Sequence, residues 1–545
     1  MATALESASL VMIPSGYEEG TLGSLQPLDG SGDFTFSRGS NLSATRVKQD
    51  GYIEKGYENL LLQSNQFDST WASVRVSEST GFAGYDGANN AWKIVPNTQL
   101  GDHRLDQSTS VSGVWTFNIY AKAAGYNFLY ILFSGIGNSG KVIDISPNQG
   151  VVVDNKGGVQ AIDESITDVG NDWWKITLTY SGTLGTLRII ALPANDTSSY
   201  AGDGTSGILI QDAQVNQGLV AYPYLETTTT SVKGGILENT PRIDYTGGGA
   251  GSLLLEPSRT NEILYSEYFD AWNQISSPTI TTNYGISPEG IQNSTRFQTS
   301  VGRLTQNVIT INANETFSVY MKGSGTLRIQ IGSENFYPSV TSEWIRYEFT
   351  STQAGAISSV QIRGNGAAVD VELYGAQYER NTYPTSYIPT YGTSQTRADE
   401  NSAIELSVLD FFSLGTSESG TFFIETKYVN AESNNRVTTF SQGGSGNNLW
   451  TNDNFQIRNT EGSDYFLVQN INDVIDNYIK IIIRKNGTTY NVFVNGTKSS
   501  TTATITNPLR WFEYIALWEN KQMLKQMIEF PTALTDSECI ALTTI

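Results

Sequence analysis

The chain has 545 residues, too many for one hydrophobic core, and length alone argues for three or four domains. Lysine and arginine total 33 against 54 aspartate and glutamate, a formal charge of −21 that repels phosphate backbones and argues against nucleic acid as a partner. The one cysteine, Cys539, excludes an intrachain disulfide and Cys-rich metal sites; the one histidine, His103, reads as a solvated residue of a Gly-Asp-His-Arg turn and leaves no two-histidine zinc site or Ser-His-Asp apparatus.

Residues 1–55 show no helical or long strand pattern. Short extended pieces around Ser37-Arg38, Ala44 to Val47 and Gly51 to Glu54 cannot bury a core alone and need something to pack on. The apolar run Leu10 to Ile13 is too short for a signal-peptide core, and no run could cross a bilayer. The expectation is a soluble chain without membrane insertion, not exported by the usual route.

From Asn59 the pattern changes to strands. Thr116 to Lys122 alternates with a period of two, and Phe128 to Ser134, Lys141 to Ser146, Val151 to Asp154, Trp174 to Ser181, Leu187 to Ala194 and Gly207 to Val215 continue the series. Gly, Asn and Asp turns separate them with no helical periodicity between, which predicts a β-sandwich.

The same landmarks then return. Asn59 to Trp71 (NLLLQSNQFDSTW) is matched within Leu253 to Trp272 (LLLEPSRTNEILYSEYFDAW), TFNIYAK at Thr116 by TFSVYMK at Thr316, WKITLTYS at Trp174 by WIRYEFTS at Trp344, and ILIQDAQV at Ile208 by VELYGAQYE at Val371. Landmarks repeated in order mark a duplicated domain, the second copy having lost loop rather than strand. Each copy leaves through a Tyr/Pro/Thr-rich exit, AYPYLETTTT from Ala221 and TYPTSYIPTYGTSQTRADE from Thr382, which reads as a stiff extended connector.

After residue 400 the grammar differs. Thr421 to Val429 alternates, and Tyr478 to Lys498 contains Asn-Gly twice, a hairpin signal that predicts three antiparallel strands. Trp511 to Glu519 and Lys525 to Phe530 read as strands. Thr535-Asp536-Ser537-Glu538 forms a capping box that opens one short helix, Asp536 to Thr543. The predicted fold is all-β: tandem jelly-roll sandwiches with one C-terminal helix. The expected division is a segment 1–55, a sandwich 56–225, a linker 226–260, a second sandwich 261–393 and a third sandwich 394–545.

The YNVFVNG hairpin and closing FPTALTDSECIALT resemble the concanavalin A-like, laminin G-type sandwich. The two earlier modules resemble carbohydrate-binding modules of the family four and nine type. DFTFSRGSNLSATRV with GYIE from Asp33, PRIDYTGGGAGSLLLEPSRTN from Pro241 and TSYIPTYGTSQTRADE from Thr385 resemble bacteriophage virion fibre and appendage proteins, in the style of phages of the Bacteroidetes lineage. The resemblance implies a protein displayed on a virion, a tail or head fibre, spike or appendage. It further implies 1–55 as the attachment to other virion proteins, a host-surface polysaccharide as ligand, and a homo-oligomer, with a trimer favoured. In such proteins ATRV…GYIE commonly runs straight into PRIDYTGG. Here the first sandwich separates them and reads as an inserted or duplicated domain, so 33–55 and 241–260 are expected to lie side by side.

Sugar recognition needs flat aromatic faces for pyranose rings and short amides or carboxylates for hydroxyls. Trp450, among Asn452, Asp453 and Asn454, is the aromatic set in a polar stretch, and an edge-strand role is the alternative. Trp71 and Trp272 hold matching places in the two copies, where sugar platform competes with core packing; Trp174 and Trp344 head matching strands and read as packing. Carbohydrate-binding modules of this type often hold a structural calcium with an Asp on the last strand; Asp212 occupies that place, its match being Gly375. No catalytic signature and no β-helix repeat is present, so the expectation is a non-enzymatic protein without cofactor; a purely structural virion role, or a polysaccharide-degrading enzyme, is the alternative.

Overall fold

A computed structural model describes residues 6–544 except 40–41, 196, 309–313, 354–358, 406–418, 429–438, 441–447, 452–453, 459–464, 471–476, 501, 505–513 and 518–521. The all-β expectation holds. Every ladder between named strands is antiparallel. The helix is Asp536–Thr543, with Thr535 and Glu538 capping each other's backbone. Period-two alternation sends Leu129, Ile131 and Phe133 inward from Phe128–Phe133, and Phe117 and Ile119 inward from Val114–Ala124. Their burial against the facing sheet closes the first sandwich.

The second sandwich repeats the plan with one economy. In the first, Val114–Ala124 and Phe128–Phe133 are separate strands in opposite sheets. In the second they are fused into Glu315–Ile331, whose first part pairs with Val369–Glu379 and whose last part pairs with Ser359–Gly364. The chain changes sheet at Gly323 (φ +139°) and Gly325 (φ +107°), and a Cβ at Gly323 would meet the Asp370 carbonyl at 2.3 Å.

The duplication extends to the buried hydrogen bonds. Asn59 Nδ2 donates to the carbonyls of Ala213 and Leu225 while its Oδ1 accepts from Leu61 and Val215. Asn261 does the same with Ala376, Ile388, Ile263 and Tyr378. The Ser64 hydroxyl lies 2.7 Å from the Tyr224 hydroxyl and accepts from Thr227 N; Ser266 lies 2.6 Å from the Tyr387 hydroxyl and accepts from Thr390 N. The Tyr/Pro/Thr exits read as connectors are therefore the closing pieces of each sandwich. They fold back because buried amides and hydroxyls at the opening need partners.

The third sandwich departs furthest from the expected division. Its Gln522–Phe530 strand is flanked on one side by Ser419–Tyr428 and on the other by Ser252–Leu255 and Leu10–Met12 in succession. In the facing sheet Phe34–Ser37 pairs with Asn401–Glu405. The segment 1–55 thus supplies strands to both sheets, and Leu253–Leu255, expected within the linker 226–260, is a buried strand of the third. The physical reason is the one that denied 1–55 a core of its own: Leu10, Met12, Phe34 and Phe36 find theirs on the C-terminal strands.

Each inserted sandwich leaves and returns at one place. Tyr57–Asn59 pairs with Val232–Gly234 around the first, and Arg259–Asn261 with Gln395–Arg397 around the second. Segments 33–55 and 241–260 do lie side by side: Tyr245 N donates to Val47 O at 3.0 Å, and Arg242 Nη1 donates to Thr45 O at 2.8 Å.

A buried ion network locks this junction. Glu400 accepts from Arg38 at 3.0 Å and from Arg242 Nε at 2.7 Å; Glu256 accepts from Arg242 at 2.8 Å and from Arg397 at 3.1 Å; all five side chains are at most 1% exposed. Burial alone would raise the Glu400 pKa, but Arg242, Arg38 and Arg397 outweigh it and hold the carboxylate below its ordinary value. The phrases from Asp33, Pro241 and Thr385 all contribute to this network. A second buried set, Lys55 between Glu267 (2.7 Å) and Glu289 (3.0 Å), ties the segment to the second sandwich, and Tyr222 of the first sandwich donates to Glu289 at 2.8 Å.

Candidate functional site

Trp71 and Trp272 are core residues, 5% and 2% exposed, each against the phenylalanine of its own FDxxW or FDAW phrase and each donating its indole N–H to a backbone carbonyl, of Gln63 and Tyr265 respectively. Neither offers a face to a sugar, so both leave the set of sugar candidates. Trp174 is also buried; Trp344 is half-buried, bonded to Ile286 O, with Lys322 over its ring. Trp450 lies on the strand Asn448–Thr451, paired with Asn454–Arg458, rather than in a loop. Asn452 and Asp453 lie outside the described residues, as do the side chains of Trp450 and Asn454. His103 is wholly buried rather than solvated, stacked on Tyr200 with Nε2 3.2 Å from Asn97 O, and burial lowers its pKa.

Asp212 occupies a β-bulge, with φ +53°, where its counterpart Gly375 has φ +63°. Burial first, then the charges of Asp86 and Glu226, raise its pKa to about 6, while the Tyr85 hydroxyl, donating at 2.8 Å, partly offsets them. Calcium takes six to eight oxygens, usually from several carboxylates. Among the described residues no group of three His, Cys, Asp or Glu is placed to hold a metal, at Asp212 or elsewhere.

On the first sandwich one aromatic set on the outer side of a sheet is Tyr130. With Leu129, Ile131 and Phe133 in the core, alternation turns Phe128 and Tyr130, both partly buried, to the other face of the sheet beside the buried Leu132. Register then sets a row Arg104–Ile190–Tyr130–Val142 across four strands and, beside it, the row Asp106–Arg188–Leu132. Asp106 gathers the cations, accepting from Arg104 at 3.0 Å with Arg188 at 3.7 Å. Next to them opens a groove of 240 Å³ lined by Tyr130, Val142, Lys156, Leu192, Thr197 and Ser198. Burial raises the Tyr130 pKa, with Lys156 and Arg188 pulling it back, so the phenol is neutral and can donate. A partly buried ring, two hydroxyls and an ammonium paired with Asp154 lie on one face and suit a polar ligand with a flat apolar side.

A larger cleft, 440 Å³, lies where the second and third sandwiches meet, with Arg46, Asp244, Tyr320, Arg346, Glu348 and Lys427 in its wall. Arg346 stacks on Tyr320 and donates to Thr385 O and Ser318 Oγ, and Arg46 is bonded to Glu54 and Tyr17. These arginines are engaged in holding the junction.

Compared with family models and with curated proteins, the sequence matches none. Among solved structures, the exo-β-1,3-galactanase of Phanerochaete chrysosporium is 12% identical over 56% of this chain and 69% of that one, with a TM-score of 0.17. The cycloalternan-forming enzyme of Listeria monocytogenes is 8% identical over 69% of this chain and 29% of that one, with a TM-score of 0.18. Likeness at this level carries no argument about this chain.

Proposed function

We propose that the chain is a non-enzymatic virion fibre, spike or appendage protein whose sandwiches present binding faces to host-surface glycans, with the Tyr130 groove as a glycan site. The observation that carries the binding role is that groove: an aromatic face, Thr197 and Ser198 hydroxyls and the Lys156 ammonium on the outside of a rigid sheet. Among the described residues its lining includes no carboxylate, whereas glycoside hydrolysis uses a pair facing each other across the bond. The virion role is supported by the three phrases from Asp33, Pro241 and Thr385. A shallow site of this kind binds weakly alone and gains strength by repetition on an oligomeric particle.

The test applies full-length protein to an array of bacterial surface polysaccharides and to host cells, alongside antibody labelling of particles. Wild type should be retained, Tyr130→Phe should hold most of that retention, and Tyr130→Ala should lose about tenfold, the loss of one stacking contact. Equal retention of Tyr130→Ala removes the groove as the site; no retention of wild type by any polysaccharide or by host cells removes the glycan role and leaves a purely structural protein. Particles without label remove the virion role.

A further inference from the structure

The second sandwich carries a different surface on the same scaffold. Matched through the strands after Trp71 and Trp272, Arg104 corresponds to Arg303, Ile190 to Arg363 and Tyr130 to Arg328; Asp106 corresponds to Thr305, Arg188 to Gln361 and Leu132 to Gln330. Arg303, Arg363 and Arg328 are therefore direct cross-strand neighbours in one row, on the face opposite core residues Leu304, Ile362 and Ile329. Strand spacing makes the row about 10 Å long.

No carboxylate among the described residues lies within ion-pair distance of these three, and the neighbouring stretches 309–313 and 354–358 contain no acidic residue. Their hydrogen bonds go to neutral amides: Arg363 to Gln330 at 2.7 Å and Arg328 to Asn335 at 2.7 Å. The Nε of Arg303, the Nε of Arg363 and the Thr305 hydroxyl are buried without any partner. Burial, then the charges of Arg328 and Arg303, lower the Arg363 pKa. Like charges directly opposite on a sheet destabilise it. In a chain with 54 acidic residues to 33 basic ones, a row of cations left without an acid, where the first copy supplies Asp106, has the form of a site waiting for an external anion.

We infer that the outer face of the second sandwich, centred on Arg303, Arg363 and Arg328, binds an acidic polysaccharide. The guanidinium row takes its carboxylate or sulfate groups. The adjoining row of Thr305, Gln361 and Gln330 faces its hydroxyls, and exposed Tyr337 stands beside Arg363. A single-stranded nucleic acid needs a run of ring faces for its successive bases, and Tyr337 supplies one beside the row. The site is separate from the Tyr130 groove, and either stands if the other fails.

The test passes full-length protein over immobilised polygalacturonate, dextran sulfate, unmodified dextran and single-stranded DNA. Wild type should be retained by polygalacturonate, dextran sulfate or both, with retention falling steeply as salt rises, and not by dextran or DNA. Retention by only one acidic polymer assigns the anion as carboxylate or sulfate. Arg363→Ile, which copies the first sandwich, and Thr305→Asp, which restores its acid, should each cut retention about tenfold or more, the worth of one charge-assisted contact. Both should melt no lower than wild type, since each relieves repulsion, and Tyr130→Ala should leave this retention unchanged. The inference is overturned by no retention on either acidic polymer, by DNA binding as tight as theirs, or by undiminished binding in Thr305→Asp.

Discussion

In the first sandwich Arg104 and Arg188 converge on Asp106 beside Tyr130 and Ile190; in the second, the corresponding face is Arg303, Gln361, Thr305, Arg328 and Arg363. Beneath these faces the wiring is the same, from Asn59 and Asn261 to Ser64 and Ser266. The difference teaches where each kind of constraint acts. A buried amide must satisfy each backbone group around it, so the interior cannot drift. An outward side chain answers only to solvent and ligand, so the two copies are free to present different chemistry.

The largest effect should come where the copies are joined. Glu400→Ala leaves Arg38 and Arg242 without their shared carboxylate and should cost about 3–5 kcal/mol in denaturant unfolding of the junction. Retention by the Tyr130 groove should survive it. A cost below about 1 kcal/mol would mean that the network does not hold the junction.

Asn59→Ala and Asn261→Ala test the shared interior. Each strips two donors and two acceptances from buried backbone and should destabilise its own sandwich by about 2–3 kcal/mol. Calorimetry of the two single variants should show matched losses; a large inequality would break the equivalence of the copies.

The smallest effect lies at the bulge, where the copies differ by Asp212 against Gly375. The Asp212 pKa of about 6 is above the usual carboxylate value of 3.8, so the folded state binds the proton more tightly. Stability from this group is therefore full below about pH 4 and lost as pH rises to about 6. Asp212→Asn keeps a side chain that tolerates positive φ and removes the buried charge. It should gain about 1 kcal/mol at pH 7, after allowance for solvent screening, and flatten the slope between pH 4 and 6. Thermal melts across that range check it; an unchanged slope would show that Asp212 ionises as it does in the unfolded chain.

Much of the fold was legible because its signals are local. Alternation located Trp174–Ser181 to the residue, Asn-Gly pairs located the hairpins of Ile479–Asn486, Thr489–Val494 and Thr497–Lys498, and Thr535 with Glu538 located the helix. The candidate site was far less legible. Tyr130 sits within a strand read simply as hydrophobic, and only the burial of Leu129 and Ile131 shows which parity faces out. For Trp71 and Trp272, repeated and aromatic, the sequence leaves sugar platform and core packing in competition, and their burial decides for the core.

By itself the sequence determined what is decided within a few residues: strand period, turn chemistry, the helix cap and the order of repeated phrases. Tertiary structure alone decided that Leu10–Met12 and Ser252–Leu255 share the Gln522–Phe530 strand, and that Arg38, Arg242, Glu256, Arg397 and Glu400 meet in one buried network. Short apolar pieces specify that they must be buried but not where. The partner is chosen by long-range fit of strand edges and by the requirement that no buried charge be left alone.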